Sequence, residues 1–201
     1  MAHSDKNIVI TPNIGSTTAN PQIVFSGADA SLGPQNITLR TYATNNGTLS
    51  FEGSAGQLFS ITNSMSGSIF SVNDVSGVPS IEVLDSGLIK LAEYSGFVAY
   101  GVSQAVTAAG STQATATLLT RPISNVPTVP ANAGVRFPTA TPGMRLVVRN
   151  ASATLLRVYP ASGGQINTLG ANTGFQLEGS ATIEFIATSA TQWYTLNATF
   201  A

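Results

Sequence analysis

The chain has 201 residues, of which 43% are hydrophobic and only 8% charged, with nine acidic and eight basic side chains and a formal net charge of −1. Globular domains ordinarily carry about a quarter charged residues; here the few, dispersed arginines and the lack of a lysine-rich run exclude a nucleic-acid interface, and the absence of cysteine excludes disulfides and thiolate metal sites. No apolar run approaches the ~18 residues of a membrane helix, and the start, MAHSDKNIVITPN, lacks a basic region followed by an apolar one, which predicts synthesis in a cytoplasm without a secretory leader.

Glycine, serine, threonine, asparagine and alanine take the places that charge leaves, so hydroxyls and amides dominate the expected surface. A free monomer ordinarily keeps charge on its surface for solubility. This composition is therefore expected of a protein built into a large assembly or an extended β fibre, with an ordinary secreted β domain as the plain alternative. The net charge also hides a division. Up to Thr120 three basic side chains stand against seven acidic ones; from Arg121 onward five arginines stand against Glu178 and Glu184. Halves of opposite sign attract each other or meet different partners.

Residues 1–20 hold one apolar run, Ile8-Val9-Ile10, closed by Pro12 and Gly15, and predict a short leading strand or docking arm. Residues 21–102 form the first predicted β module. Ile23-Val24-Phe25 and the alternating residues 37–42 read as strands, and Asn45-Asn46-Gly47 as a hairpin turn. From residue 47 to 87 a pattern then recurs every eleven residues: Gly56 and Gly67, Phe59 and Phe70, Ser60 and Ser71, Ile61 and Val72, Asn63 and Asp74, with Ile81 and Val83 keeping the phase. Alternation puts Phe59, Ile61, Phe70, Val72, Ile81 and Val83 on one face of short strands. A strand that short makes no core alone, so the copies must pair or stack, within one chain or around a threefold axis. These six side chains are the candidate core or oligomer contacts. Residues 88–91 and 97–100 add two more short strands.

Residues 103–134 change character, first to Ala, Thr, Ser and Gln and then to proline, and predict an extended linker or a segment lying along a partner chain. Five prolines between positions 122 and 142 rule out regular helix and discourage a central strand. Residues 135–201 return to short alternating strands bounded by Gly, Asn and Ser, the pattern of an antiparallel sandwich or jelly-roll-like module. The predicted fold class is all-β, in two β modules.

The chemistry-bearing residues are sparse. His3 is the only histidine, which leaves triads and imidazole metal sites without partners. Asp74, Glu82 and Asp85 are the carboxylates a depolymerase would pair, but Asp74 and Asp85 occupy turn positions suited to short polar side chains, and Glu82 lies in the polar phase between Ile81 and Val83. No calcium loop and no phosphate-cradling glycine motif is present. No catalytic residue, metal or cofactor is expected, and the chain reads as a non-enzyme. Trp193-Tyr194 with Tyr159 offer a platform for a host-surface glycan, although one of the adjacent pair should point into a core. Arg145, Arg149 and Arg157 fall on what read as two neighbouring strands and are the candidate partner-facing basic group. The Asn-X-Ser/Thr triplets at Asn36, Asn46, Asn150 and Asn197 read as chance in a chain this rich in those residues.

The paired LFSI and IFSV, then NDVSG and PSIEV, within residues 7–100, resemble a module of virion proteins of tailed bacteriophages, notably those infecting cyanobacteria. The VYPASG turn, the INTLGAN stretch and the closing TQWYT, within residues 135–196, resemble a second, more widely shared phage-associated β domain. The resemblance implies a non-enzymatic, trimeric building block of a virus particle, located in the virion, whose partners are its own copies and the major capsid protein or another virion protein. Size, the short arm and the opposite charge balance of the two modules fit a capsid decoration or cement protein. A short tail or head fibre meeting the host surface is the alternative in the same class, and a carbohydrate-binding or depolymerising protein the alternative from another.

Overall fold

A computed structural model gives the fold for residues 8–11 (backbone alone), 22–25, 36–43, 46–54, 56–94 and 96–196. His3, Asn197 and most of the predicted arm lie outside the described residues. The chain divides into two compact units, residues 1–98 and 99–201. Both are built from strands, and no α-helix occurs among the described residues.

The first unit is a single eight-stranded sheet in which every strand pairs with its sequence neighbour: β1 (Ile8–Thr11), β2 (Gln22–Phe25), β3 (Ile37–Tyr42), β4 (Thr48–Gly53), β5 (Gly56–Thr62), β6 (Ser68–Asn73), β7 (Pro79–Leu84) and β8 (Ile89–Leu91). All the pairings are antiparallel. The connections follow from turn chemistry. Asn46 and Gly47 both carry positive φ between β3 and β4, as a tight hairpin requires. Asp74-Val75-Ser76-Gly77 and Leu84-Asp85-Ser86-Gly87 close alike, with the glycine at φ 81° and its N–H donated three residues back.

The eleven-residue repeat is the period of this meander. Its central residue meets its own image in the next strand, Ser60 opposite Ser71 and Ser71 opposite Glu82, while reversal of direction sets Phe59 against Val72 and Ile61 against Phe70. The repeat thus pairs within one chain. Two apolar rows cross one face, Ile23–Leu39–Phe51–Phe59–Val72–Ile81–Leu91 and Leu49–Ile61–Phe70–Val83–Ile89. The other face carries Gln22–Arg40–Ser50–Ser60–Ser71–Glu82–Lys90. Burial is inverted from the usual order: Thr48, Ser50, Ser60 and Ser71 on the polar face are buried, whereas no apolar side chain described in this unit is.

The second unit has two sheets. The strands are β9 (Val102–Ser103), β10 (Thr117–Leu118), β11 (Ile123–Val126), β12 (Gly134–Arg136), β13 (Arg145–Asn150), β14 (Leu156–Tyr159), β15 (Gln165–Ile166), β16 (Phe175–Leu177), β17 (Thr182–Ala187) and β18 (Gln192–Leu196). One sheet runs β10-β12-β14-β16 and the other β15-β18-β17-β13-β11-β9, so from β9 to β17 the chain changes sheet at every connection. Each circuit returns in the same direction, and five pairings are consequently parallel against three antiparallel ones. This departs from the expected antiparallel module. Alternation of apolar residues reports which face of a strand is covered and is blind to the direction of its neighbour.

Residues 103–134, expected as a linker, are instead part of this unit. They supply β10, β11, the start of β12 and the buried Ala108, Leu119, Val126, Val129 and Ala133. The prolines fall between strands: Pro122 before β11, Pro127 and Pro130 between β11 and β12, Pro138 and Pro142 between β12 and β13. Lacking an N–H, proline suits the corner where the ladder ends. Between the sheets lies the core, with Phe137 4.8 Å from Phe185 and 4.7 Å from Trp193 between ring centroids. At the end of β13, Asn150 is fully buried and makes the corner hold: its Nδ2 donates to the carbonyls of Thr154, Leu177 and Glu178, and its Oδ1 accepts from the N–H and hydroxyl of Ser152. Burial of this asparagine also removes it as a glycan acceptor. Replacing it by alanine strands three carbonyls in a dry corner. The Asn150→Ala chain is expected to lose about 2–4 kcal/mol, read as a lower urea midpoint of the fluorescence of Trp193, the only tryptophan.

Candidate functional site

Two sheet faces and a few polar clusters are the places where this chain can meet something else. The apolar face of the first unit gathers all six predicted contact residues, Phe59, Ile61, Phe70, Val72, Ile81 and Val83, in the two rows described above. Phe51 stacks on Phe59 at 4.0 Å, and Phe59 leans on Phe70 at 6.3 Å. Pairing side by side satisfies the backbone and leaves the face uncovered. Ile61 is 47% exposed and Ile89 60%. No charged side chain stands in either row.

The opposite face is bound to itself. Ser60 and Ser71 hydroxyls lie 3.1 Å apart, Gln57 donates to Ser50 at 2.9 Å, and Asn73 donates to Gln57 at 2.9 Å. Arg40 donates to Gln22 through Nε and Nη2 and pairs with Glu52 at 3.1 Å, where the Tyr42 hydroxyl also donates. At the far edge Lys90 stands 2.7 Å from Glu93 and 3.4 Å from Glu82. Glu93 first, then the Tyr94 hydroxyl, holds the Lys90 ammonium above the ordinary lysine range.

The three carboxylates considered for hydrolysis are spread along this architecture. Asp74 begins the turn at one end of β7, Asp85 sits in the turn at the other, and Glu82 lies within the strand. A six-residue strand spans ~20 Å, against the roughly 5–9.5 Å between the carboxyl groups of a glycosidase. Each has structural work: Asp85 accepts from the Gly67 N–H at 3.0 Å, Glu82 faces Lys90, and Asp74 accepts from the Ser76 N–H and hydroxyl and the Val78 N–H at 2.7–3.0 Å.

In the second unit the predicted basic group divides. Arg145 and Arg149 lie on the exposed face of β13, but β14, which carries Arg157, belongs to the other sheet. Arg145 pairs with Glu184 at 3.2 Å, and Arg157 donates to Asn132. Strand alternation placed each arginine on a polar phase and held no information about sheet switching at Asn150. The aromatic platform divides too. Trp193 is fully buried in the core. Tyr159 lies against Gly134 and Gly174, where any added Cβ would come within 3 Å of its ring, and its hydroxyl donates to the Ser111 carbonyl at 2.7 Å. Only Tyr194 remains exposed, at 45%. A feature with no sequence signal appears beside it in the same sheet: a hollow of about 140 Å³ lined by Tyr100, Pro122, Ile123, Val147 and the Arg145–Glu184 pair.

Among the described residues no group of His, Cys, Asp or Glu is arranged to hold a metal ion, and no helix is long and apolar enough to cross a membrane. No protein family, curated protein or solved structure matches the chain.

Hydrogen bonds from Ser76 and Val78 hold the Asp74 carboxyl below its usual range. A depressed folded value means that ionised Asp74 stabilises the turn above the carboxyl's unfolded pKa of ~3.9, and that this contribution is lost as pH falls through the lower folded value. Asp74→Asn should accordingly be less stable than the parent at pH 6, with the gap narrowing below pH ~4, checked by thermal melts across that range.

Proposed function

We propose that this chain is a non-enzymatic structural protein of a tailed-bacteriophage particle, which decorates and cements the capsid shell as a homotrimer bridging subunits of the major capsid protein. The observation that carries this reading is the first unit's inverted burial, a strand-rich body whose apolar face is open while its polar face is closed on itself. A sheet with an uncovered hydrophobic face is stable when it packs on another layer, so such a body belongs in an assembly. The low charge content and the module wording of the sequence support the same class.

The mechanism is mechanical. Each copy bridges several capsid subunits and binds the assembled lattice in preference to free subunits, so its binding free energy is added to the stability of the shell. Exposed Arg149 and the Arg145–Glu184 pair give the second unit polar handles for a shell surface, and the carboxylates of the first unit stay engaged in its turns and ladder. No host glycan is needed for this role, and neither nucleic acid nor membrane takes part.

Copy number tests the reading. Quantitative mass spectrometry of purified virions is expected to give a simple fraction of, or parity with, the major capsid protein, and the copies are expected at threefold positions of the shell. A handful of copies per particle would move the protein to a tail or head fibre, and absence from the particle would reject the virion role.

A further inference from the structure

We infer that the apolar face of the eight-stranded sheet is a self-docking surface, whose occupant is the same face of a second copy of this chain. Self-docking takes from the proposed function only that several copies act together.

Three observations specify the occupant. The first is need: no apolar side chain described in the first unit is buried, and strands with a hydrophobic face require a facing layer for stability. The second is chemistry. The charged groups of the described sheet stand on the polar face or in turns, so the apolar rows hold nothing with which to select a partner by charge. An identical face answers such a surface with equal apolarity and the same strand spacing, and aligned sheets interdigitate ~10 Å apart. The third is area. Seven strands from β2 to β8 at ~4.8 Å spacing, with rows ~20 Å long, give a patch of roughly 600 Å² per copy. Two facing copies then remove roughly 1,200 Å² from water, which reaches the range of specific protein interfaces. Phe51, Phe59 and Phe70 cluster on the middle strands, where an interface places its aromatic anchors.

The test uses the purified full chain. Sedimentation velocity from about 0.1 to 100 µM is expected to show an oligomer that dissociates on dilution, with two or three copies read directly. The double variant Ile61→Lys, Val83→Lys places two ammonium groups in the inner row and should weaken association by ~100-fold or more, since stranding charge in an apolar interface is costly. Because the backbone makes the ladder, these half-exposed positions are suited to substitution. Should that variant fail to fold, the cysteine-free chain allows a second measurement. Ile61→Cys should be joined to a second copy by a short bismaleimide, whereas Thr62→Cys, its neighbour on the opposite face, should not. A monomer at every concentration, association unmoved by the lysines, or equal cross-linking from both cysteines overturns the inference. A monomer whose Ile61→Cys thiol resists alkylation would place another part of the same chain on the face and overturns it as well. None of these outcomes alters the copy number in virions, so the two readings fail separately.

Discussion

A β-sheet has two faces, and hydrogen bonding between strands satisfies only the plane between them. Every other feature of this protein follows from how each face is then covered. The second unit covers itself: by switching sheets at each connection the chain lays a second layer over the first and traps Phe137, Phe185 and Trp193 between them. The first unit never turns back. Its strands are laid down in sequence order, side by side, and the layer that would complete a sandwich is missing from the described residues.

The polar face shows why the first unit has so few charges and needs no more. Small hydroxyls at Ser50, Ser60 and Ser71 sit in one row beneath longer amides and ionic side chains that bond to them and to each other. Buried polar groups are tolerable when their partners are complete, and here the partners are neighbouring strands of the same sheet. That closure makes the polar face a poor place for a ligand and directs attention to its reverse. A lysine at the centre of β8 also guards the edge strand against unwanted pairing.

Much of this was legible in the residues. The period of eleven announced a repeating hairpin, and the alternation within it named the six side chains that do share one face. What alternation left open was whether the copies met within a chain or between chains; the self-matching of Ser60 with Ser71 at that spacing is the local reason for pairing within one. Residues 103–134 were misread because alanine, threonine and proline lack a strong periodic signal. Their burial comes from being wound between longer strands, a tertiary effect that no window of sequence contains. The division of Arg145 from Arg157 has the same origin. A turn at Asn150 reads alike whether the next strand pairs with the last one or crosses to another layer, and the decisive feature is the side-chain amide that ties the corner to Leu177 and Glu178.

The nearest-neighbour order of the first unit has a mechanical side. Its outermost strands, β1 and β8, are opposite edges of one layer, so tension drawn across them would load the last strand pair alone and peel the sheet pair by pair, yielding length at low force. The second unit resists differently, because β13 is bonded on one side to β11 and on the other to β17, and freeing it breaks contacts remote in sequence together. One chain therefore couples an extensible half to a stiff one.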